Sequence, residues 1–113
     1  MFNFEEITER TMEITKNIEK AKIRELLEKG NGFAVIRDNG TLDIFGVCGF
    51  AVIKFRDYRK AFARAWLKES GSKSYFSSCS TQELSIQREC ANKVCEYLNK
   101  TYNADAYVYS WVD

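Results

Sequence analysis

Apolar residues recur at helical spacing along the first thirty positions and then change phase. Phe4, Ile7, Thr11, Ile14, Ile18 and Ala21 share one helical face, whereas Ile23, Leu26 and Leu27 lie about 150° round the axis at 100° per residue. Asn3 followed by Glu6 forms a capping-box pattern, and Phe2 with Ile7 supplies the matching hydrophobic staple, so the helix starts near residue 4. Gly30 is its natural stop. One straight helix with one buried face does not explain the phase change. Either the helix breaks near Asn17, or its halves pack against different partners, the first half against a second copy of the chain.

From Gly32 the period becomes that of strands. Phe33 to Arg37 and Leu42 to Phe45 are joined through Asn39-Gly40, a strong signal for a two-residue hairpin turn. Gly46-Val47-Cys48-Gly49 then turns into a third strand, Phe50 to Phe55. The words Gly32-Phe-Ala-Val-Ile36 and Gly49-Phe-Ala-Val-Ile53 are identical, but five residues of shared strand chemistry do not make a structural repeat. Asp57 can cap a helix from Tyr58 to about Glu69, closed by Gly71. After a serine-rich stretch, Ser80-Thr81-Gln82-Glu83 is a second capping box. It opens a long helix with Leu84, Ala91, Val94, Cys95, Leu98 and Tyr102 on one face. A last strand, Ala104 to Val112, alternates Tyr107, Tyr109 and Trp111 with Ala106, Val108, Ser110 and Val112.

The predicted order is α(α)βββααβ, an α+β fold with helices packed on a mixed sheet that contains a three-stranded antiparallel meander and receives its last strand after a crossover. It is one domain over 1–113, with residues 1–16 as a candidate helical arm for a homodimer and 17–113 as the core. The 113-residue length and 45% hydrophobic content suit a single core.

Composition narrows the chemistry. The sequence has no histidine, which removes Ser/His and Cys/His nucleophiles, histidine-bound zinc and a histidine base. No stretch is apolar enough for a membrane span, and Met1 to Glu6 lacks the basic start of a secretion signal, so a cytoplasmic protein with no membrane partner is expected. Cys48, Cys79, Cys90 and Cys95 then read as reduced thiols. Cys90 and Cys95, five apart on a helix, point about 140° away from each other, which opposes a bridge.

The formal net charge is only +1, but it is unevenly distributed. Between Lys54 and Lys73 there are seven basic residues against two acidic. Arg56, Lys60, Arg64 and Lys68 recur every four residues, which on a helix makes a cationic ridge beside Tyr58, Phe62, Ala65 and Trp66. Such a ridge is either a solvated face or a surface for phosphates or an acidic protein. On the second reading Arg56, Arg59, Lys60, Arg64 and Lys68 supply charge, and Tyr58 and Trp66 are anchors.

The element order, together with Gly40-Thr-Leu-Asp43-Ile-Phe, Ala51-Val52-Ile53-Lys54 and the ending Ala106 to Asp113, resembles a compact PD-(D/E)XK nuclease core. The resemblance covers roughly Asn17 to Asp113. It implies Glu19 as the helix acid, Asp43 as the strand acid and Lys54 as the lysine of a Mg²⁺ site, with Glu69 as a substitute ligand. A two-residue turn at Val47-Cys48 sets Asp43 opposite position 52, where the family carries its second acid. That position is Val here, and position 42 is Leu where the family motif has Pro.

The size and architecture alone also resemble small phage inhibitors of bacterial defence, the anti-CRISPR proteins. That resemblance implies a phage or mobile-element protein that blocks a nucleic-acid-handling or defence complex through its cationic helix, as a non-enzymatic binder without a cofactor. Its partner would be a protein or ribonucleoprotein complex, or nucleic acid itself. The remaining candidates are weaker. Cys79 precedes a predicted helix N-terminus, but a sequence without histidine shows no base for it, and the cysteines lack paired zinc knuckles. Tyr107, Tyr109 and Trp111 could form a stacking platform for bases, as on sheet-surface RNA readers; the expectation is the commoner arrangement, an aromatic face buried under a helix.

Overall fold

The computed structural model describes residues 2–29, 34–36, 42–44, 49–80 and 83–112. The described elements are α1 (Phe4–Lys29), β1 (Ala34–Ile36), β2 (Leu42–Ile44), β3 (Gly49–Phe55), α2 (Ala61–Ser70), β4 (Ser74–Tyr75), α3 (Leu84–Tyr102) and β5 (Ala106–Val112). The fold is α+β, as the sequence predicts.

Asn3 starts α1 as expected, its Oδ1 accepting from the Glu6 N–H at 3.2 Å. The helix then runs unbroken past Asn17. Its first half, the expected arm, lies on the protein's own core: Ile7, Thr11 and Thr15 form a buried stripe at four-residue spacing. The threonine hydroxyls are satisfied there. Thr11 bonds the Ile7 carbonyl at 2.9 Å and the Tyr75 hydroxyl at 2.6 Å, and Thr15 donates to the Ser77 carbonyl. One turn further the stripe becomes polar, with Glu19 bound to Ser80 and Lys22 3.0 Å from Glu89 of α3. The apolar stripe of the first half thus ends in polar contacts on the same side.

The sheet differs from the predicted meander. Among the described residues β2 pairs with β1 alone, while β3 is the centre of a three-stranded sheet in the order β4-β3-β5, and every described pairing is antiparallel. β5 matches all seven residues of β3, from Gly49↔Val112 to Phe55↔Ala106, whereas β2 offers three. The longer partner takes the ladder even though it follows a crossover. The Asn39-Gly40 and Val47-Cys48 turns lie outside the described residues. The register Ile36↔Leu42 nevertheless differs from the Arg37↔Leu42 pairing that a two-residue turn at Asn39-Gly40 enforces.

The core lies between β3 and β5 on one side and the helices on the other. Ala51, Ile53, Phe55 and Ala106 from the sheet meet Ile7, Phe62, Ala91, Val94, Cys95 and Leu98. At the far end Phe62 packs edge-on against Phe2 and Phe4 and stacks on Tyr102. Cys90 and Cys95 are buried and unbridged. Burial raises the Cys95 thiol pKa, so it behaves as a small apolar group.

Candidate functional site

Strand alternation fixes which side chains leave the core. With Ala51, Ile53 and Phe55 turned inward, Phe50, Val52 and Lys54 face out, and their partners across the ladder are Trp111, Tyr109 and Tyr107. The aromatic face of β5 is therefore on the side away from the helices, a correction to the expected buried arrangement. Ala106 and Val108 are the residues that meet the core. Tyr109 is 49% exposed and Trp111 40%, while Val52 is only 5% exposed. Trp111 lies 5.6 Å from the Phe50 ring and 5.7 Å from the Tyr109 ring. The signal for this orientation was Lys54, which ends the outward register of β3 and could not have entered the core unpaired.

Two cations lie over this face. Lys54 Nζ sits 4.8 Å above the Tyr109 ring and the Arg56 guanidinium 5.2 Å from the Tyr107 ring. Arg56 also pairs with Asp105 at 3.2 Å, and Lys60 approaches the same carboxylate at 3.9 Å.

The cationic ridge is shorter than its spacing suggests. The Asp57 carboxylate accepts from the Arg59 backbone N–H at 2.9 Å and from Arg59 Nε at 3.0 Å, making a turn instead of a helix cap. Hydrogen bonds from the Arg59 side chain and backbone hold the Asp57 carboxyl below its usual pKa. The helix starts only after Lys60, whose backbone is extended. Arg56 and Arg59 thus lie before the helix, and Arg64 and Lys68 are the two ridge residues within it, both exposed. The expected anchors are structural ties. Trp66 Nε1 donates to the Ser74 carbonyl at 3.0 Å with its ring 4.8 Å from Tyr75, and the Tyr58 hydroxyl donates to the Lys73 carbonyl at 2.6 Å.

The nuclease-like set is not brought together in the predicted way. Among the described residues β2 does not pair with β3, and Asp43 stands opposite Val35 instead of Val52; its side chain lies outside the described residues. Glu19 accepts the Ser80 backbone N–H at 2.6 Å and the Ser80 hydroxyl at 3.0 Å. Lys54 belongs to the outer sheet face, and Glu69 borders the helix start around Phe2 to Glu5. Among the described residues no three Cys, Asp or Glu side chains come together as a metal site. Cys79 lies four residues before the helix cap Glu83, whose carboxylate itself accepts from the Ile86 N–H, so the thiol is not at the helix end.

Chemically, the outer face offers flat rings for stacking and cations for anions. Among the described residues no helix is long and apolar enough to cross a membrane. Compared with protein-family models, curated proteins and solved structures, the chain matches none.

Proposed function

We propose that this protein is a non-catalytic binding module that takes single-stranded nucleic acid on the outer face of its three-stranded sheet. The observation that carries this reading is the outward row of Tyr107, Tyr109 and Trp111 on β5, half-buried at Tyr107 and exposed at Tyr109 and Trp111, flanked by Lys54 and Arg56. The Tyr109 and Trp111 rings stand 5.7 Å apart, wider than the roughly 3.4 Å rise between stacked bases. A duplex keeps its bases stacked on one another, so a single strand with splayed bases fits this spacing better. Lys54 leaves the Tyr109 ring as a base arrives and turns to a phosphate; the cation–π contact given up is worth only about 0.5–1 kcal/mol at an exposed site.

An inhibitor of a nucleic-acid-handling or phage-defence complex would use the same face to occupy the partner's strand-binding channel. With Arg59 held by Asp57, and Arg56 and Lys60 shared with Asp105, the contact centres on the sheet, while Arg64 and Lys68 extend the charged surface.

The test is titration of the full chain with fluorescent oligothymidine, oligouridine and a duplex of equal length. Single strands are expected to quench tryptophan fluorescence and to bind more tightly than duplex, and Tyr109→Ala with Trp111→Ala is expected to abolish the preference. Equal binding of duplex and single strand, unchanged in the double variant, would sink the reading.

A further inference from the structure

β4 stops early, and its stopping leaves a gap in the ladder beside the aromatic face. Continued by two residues, β4 would set Ser77 against Ala51, because Ile53 pairs with Tyr75. The Ser77 carbonyl instead accepts from Thr15 of α1, and Ser80 is tied to Glu19 on the same helix. Ser78 takes a positive φ of 63° in the departing segment. The chain after Tyr75 is thus drawn off β3 by two contacts to α1.

What remains is a cleft of about 330 Å³ whose apolar walls are Phe50, Val52, Phe76 and Trp111, with Gln87 and Ser78 among its polar lining. Phe76 is 59% exposed at its mouth. The Arg56 N–H bonds the Asp105 carbonyl, so even-numbered β3 residues direct their backbone groups towards β5 and odd-numbered ones towards the β4 side. Ala51 therefore presents both backbone groups to the cleft. Its N–H is met by Gln87 Oε1 at 3.5 Å, and its carbonyl is turned to the same side. A buried acceptor, a serine hydroxyl and aromatic walls meet in a space at the lower end of small-molecule pockets.

We propose that this cleft is a nucleobase slot, into which one unpaired base of the bound strand turns edge-first. The base stacks against the Phe76 and Trp111 side chains, donates an N–H to the Ala51 carbonyl and accepts from the Ser78 hydroxyl. The volume suits a single planar ring system, and the sugar and phosphate stay outside near the outer face. This inference rests on the single-strand reading and adds the element that reads a base rather than its backbone.

The experiment is amide chemical-shift mapping on the ¹⁵N-labelled full chain with adenosine and uridine, then with oligothymidine and oligouridine. The nucleosides are expected to shift Ala51, Ser78 and the Gln87 side-chain amide. Phe76→Ala, at an exposed position, is expected to weaken nucleoside binding about tenfold, the order set by loss of one stacking partner. Ser78→Gly removes the hydroxyl without backbone strain and is expected to weaken binding as well. Oligonucleotide binding that moves only Tyr107, Tyr109 and Trp111 would overturn the slot and leave the face intact. Nucleoside shifts in the cleft without oligonucleotide binding would support the slot and remove the single-strand reading. No shift with any probe would overturn both.

Discussion

Asn99 of α3 holds both backbone groups of Ala106 at the start of β5. Its Oδ1 accepts the Ala106 N–H at 2.6 Å and its Nδ2 donates to the Ala106 carbonyl at 3.0 Å. The Arg56 N–H bonds the Asp105 carbonyl on the opposite side of the strand, and the Arg56 guanidinium also reaches the Ala106 carbonyl at 3.4 Å. The helix thereby sets where the final strand begins, and with it the register that turns Tyr107, Tyr109 and Trp111 outward. Asn99→Ala is expected to cost about 2 kcal/mol, from two hydrogen bonds of about 1 kcal/mol each. Asn99→Asp keeps the acceptor and should lose roughly half of that. Urea denaturation of both variants checks the order, and an unchanged midpoint for Asn99→Ala would show that the clamp is not needed.

Gly49 is required by the space around it. A Cβ at that position would stand 2.5 Å from the Trp111 carbonyl oxygen and 2.8 Å from Leu84 Cδ1. The leucine can turn, but the carbonyl belongs to the paired backbone of β5 and cannot move alone. Gly49→Ala is expected to destabilise the fold by about 1–3 kcal/mol, the usual cost of overpacking. It should also disturb the tryptophan fluorescence of the native state, because Trp111 carries the displaced carbonyl. A native spectrum with unchanged stability would contradict the close approach.

The protein should lose stability on the alkaline side. Burial raises the Tyr97 hydroxyl far above the phenol range, with the Tyr102 hydroxyl adding to the effect, and burial also raises Tyr75 and Cys95. In the unfolded chain these groups ionise near their ordinary values of 10.0 for tyrosine and 9.0 for the thiol. Between those values and the raised native ones the folded state binds more protons, so stability falls as pH rises. Lys22 acts in the same sense. Its hydrogen bond to Glu89 raises its pKa above 10.5, and the stability it contributes is complete below that value and lost as pH rises through the native one. Urea midpoints between pH 7 and 10.5 should be level at first and decline from about pH 9. Tyr97→Phe should make the decline shallower; a level profile throughout would mean these groups are solvated.

Glu19 separates a structural role from a metal-binding one. Its carboxylate receives the Ser80 N–H and hydroxyl, so Glu19→Gln retains part of the contact and Glu19→Ala removes it. The expected cost for alanine is about 1 kcal/mol, because hydrogen bonds to a charged acceptor are partly offset by exposure. Addition of Mg²⁺ to the native protein should leave the melting temperature unchanged in both wild type and variant. A Mg²⁺-dependent rise that Glu19→Ala abolishes would favour the nuclease-like site.

Much of the fold was legible because local chemistry agreed with it. Asn3 and the aromatic alternation of residues 107 to 111 gave the start of the first helix and the last strand, and Gly71 gave the stop of α2. Strand pairing was less accessible, since β5 wins the edge of β3 through a seven-residue match that adjacency in the chain does not announce. Helix spacing misled at Arg56 and Lys60 because Asp57 forms a local turn with Arg59 before the helix begins. Composition alone places the aromatic face in the core. Its direction became readable only once Lys54 was paired with Tyr107, since the charged end of β3 and the aromatic residues of β5 then had to share one side. The cleft depends on where β4 stops, which is set by Thr15 and Glu19 more than sixty residues earlier, and no local pattern carries that.

Charge should separate the sheet from the helix as the place where phosphates are held. If Lys54 moves from the Tyr109 ring to a phosphate, Lys54→Gln should weaken single-strand binding and reduce the slope of log affinity against log salt by about 0.7, the share of one single-strand phosphate contact. Lys60→Glu with Arg64→Glu should also weaken binding if the backbone continues past Tyr107 towards α2, and should reduce the slope by more than one contact. The two changes should combine additively, because Lys54 and Arg64 lie on different elements and share no partner among the described residues. Tyr109→Ala should weaken binding with little change in slope, since stacking releases no counterions. A slope altered by Tyr109→Ala but not by Lys54→Gln would reverse these assignments and place the phosphates away from β3.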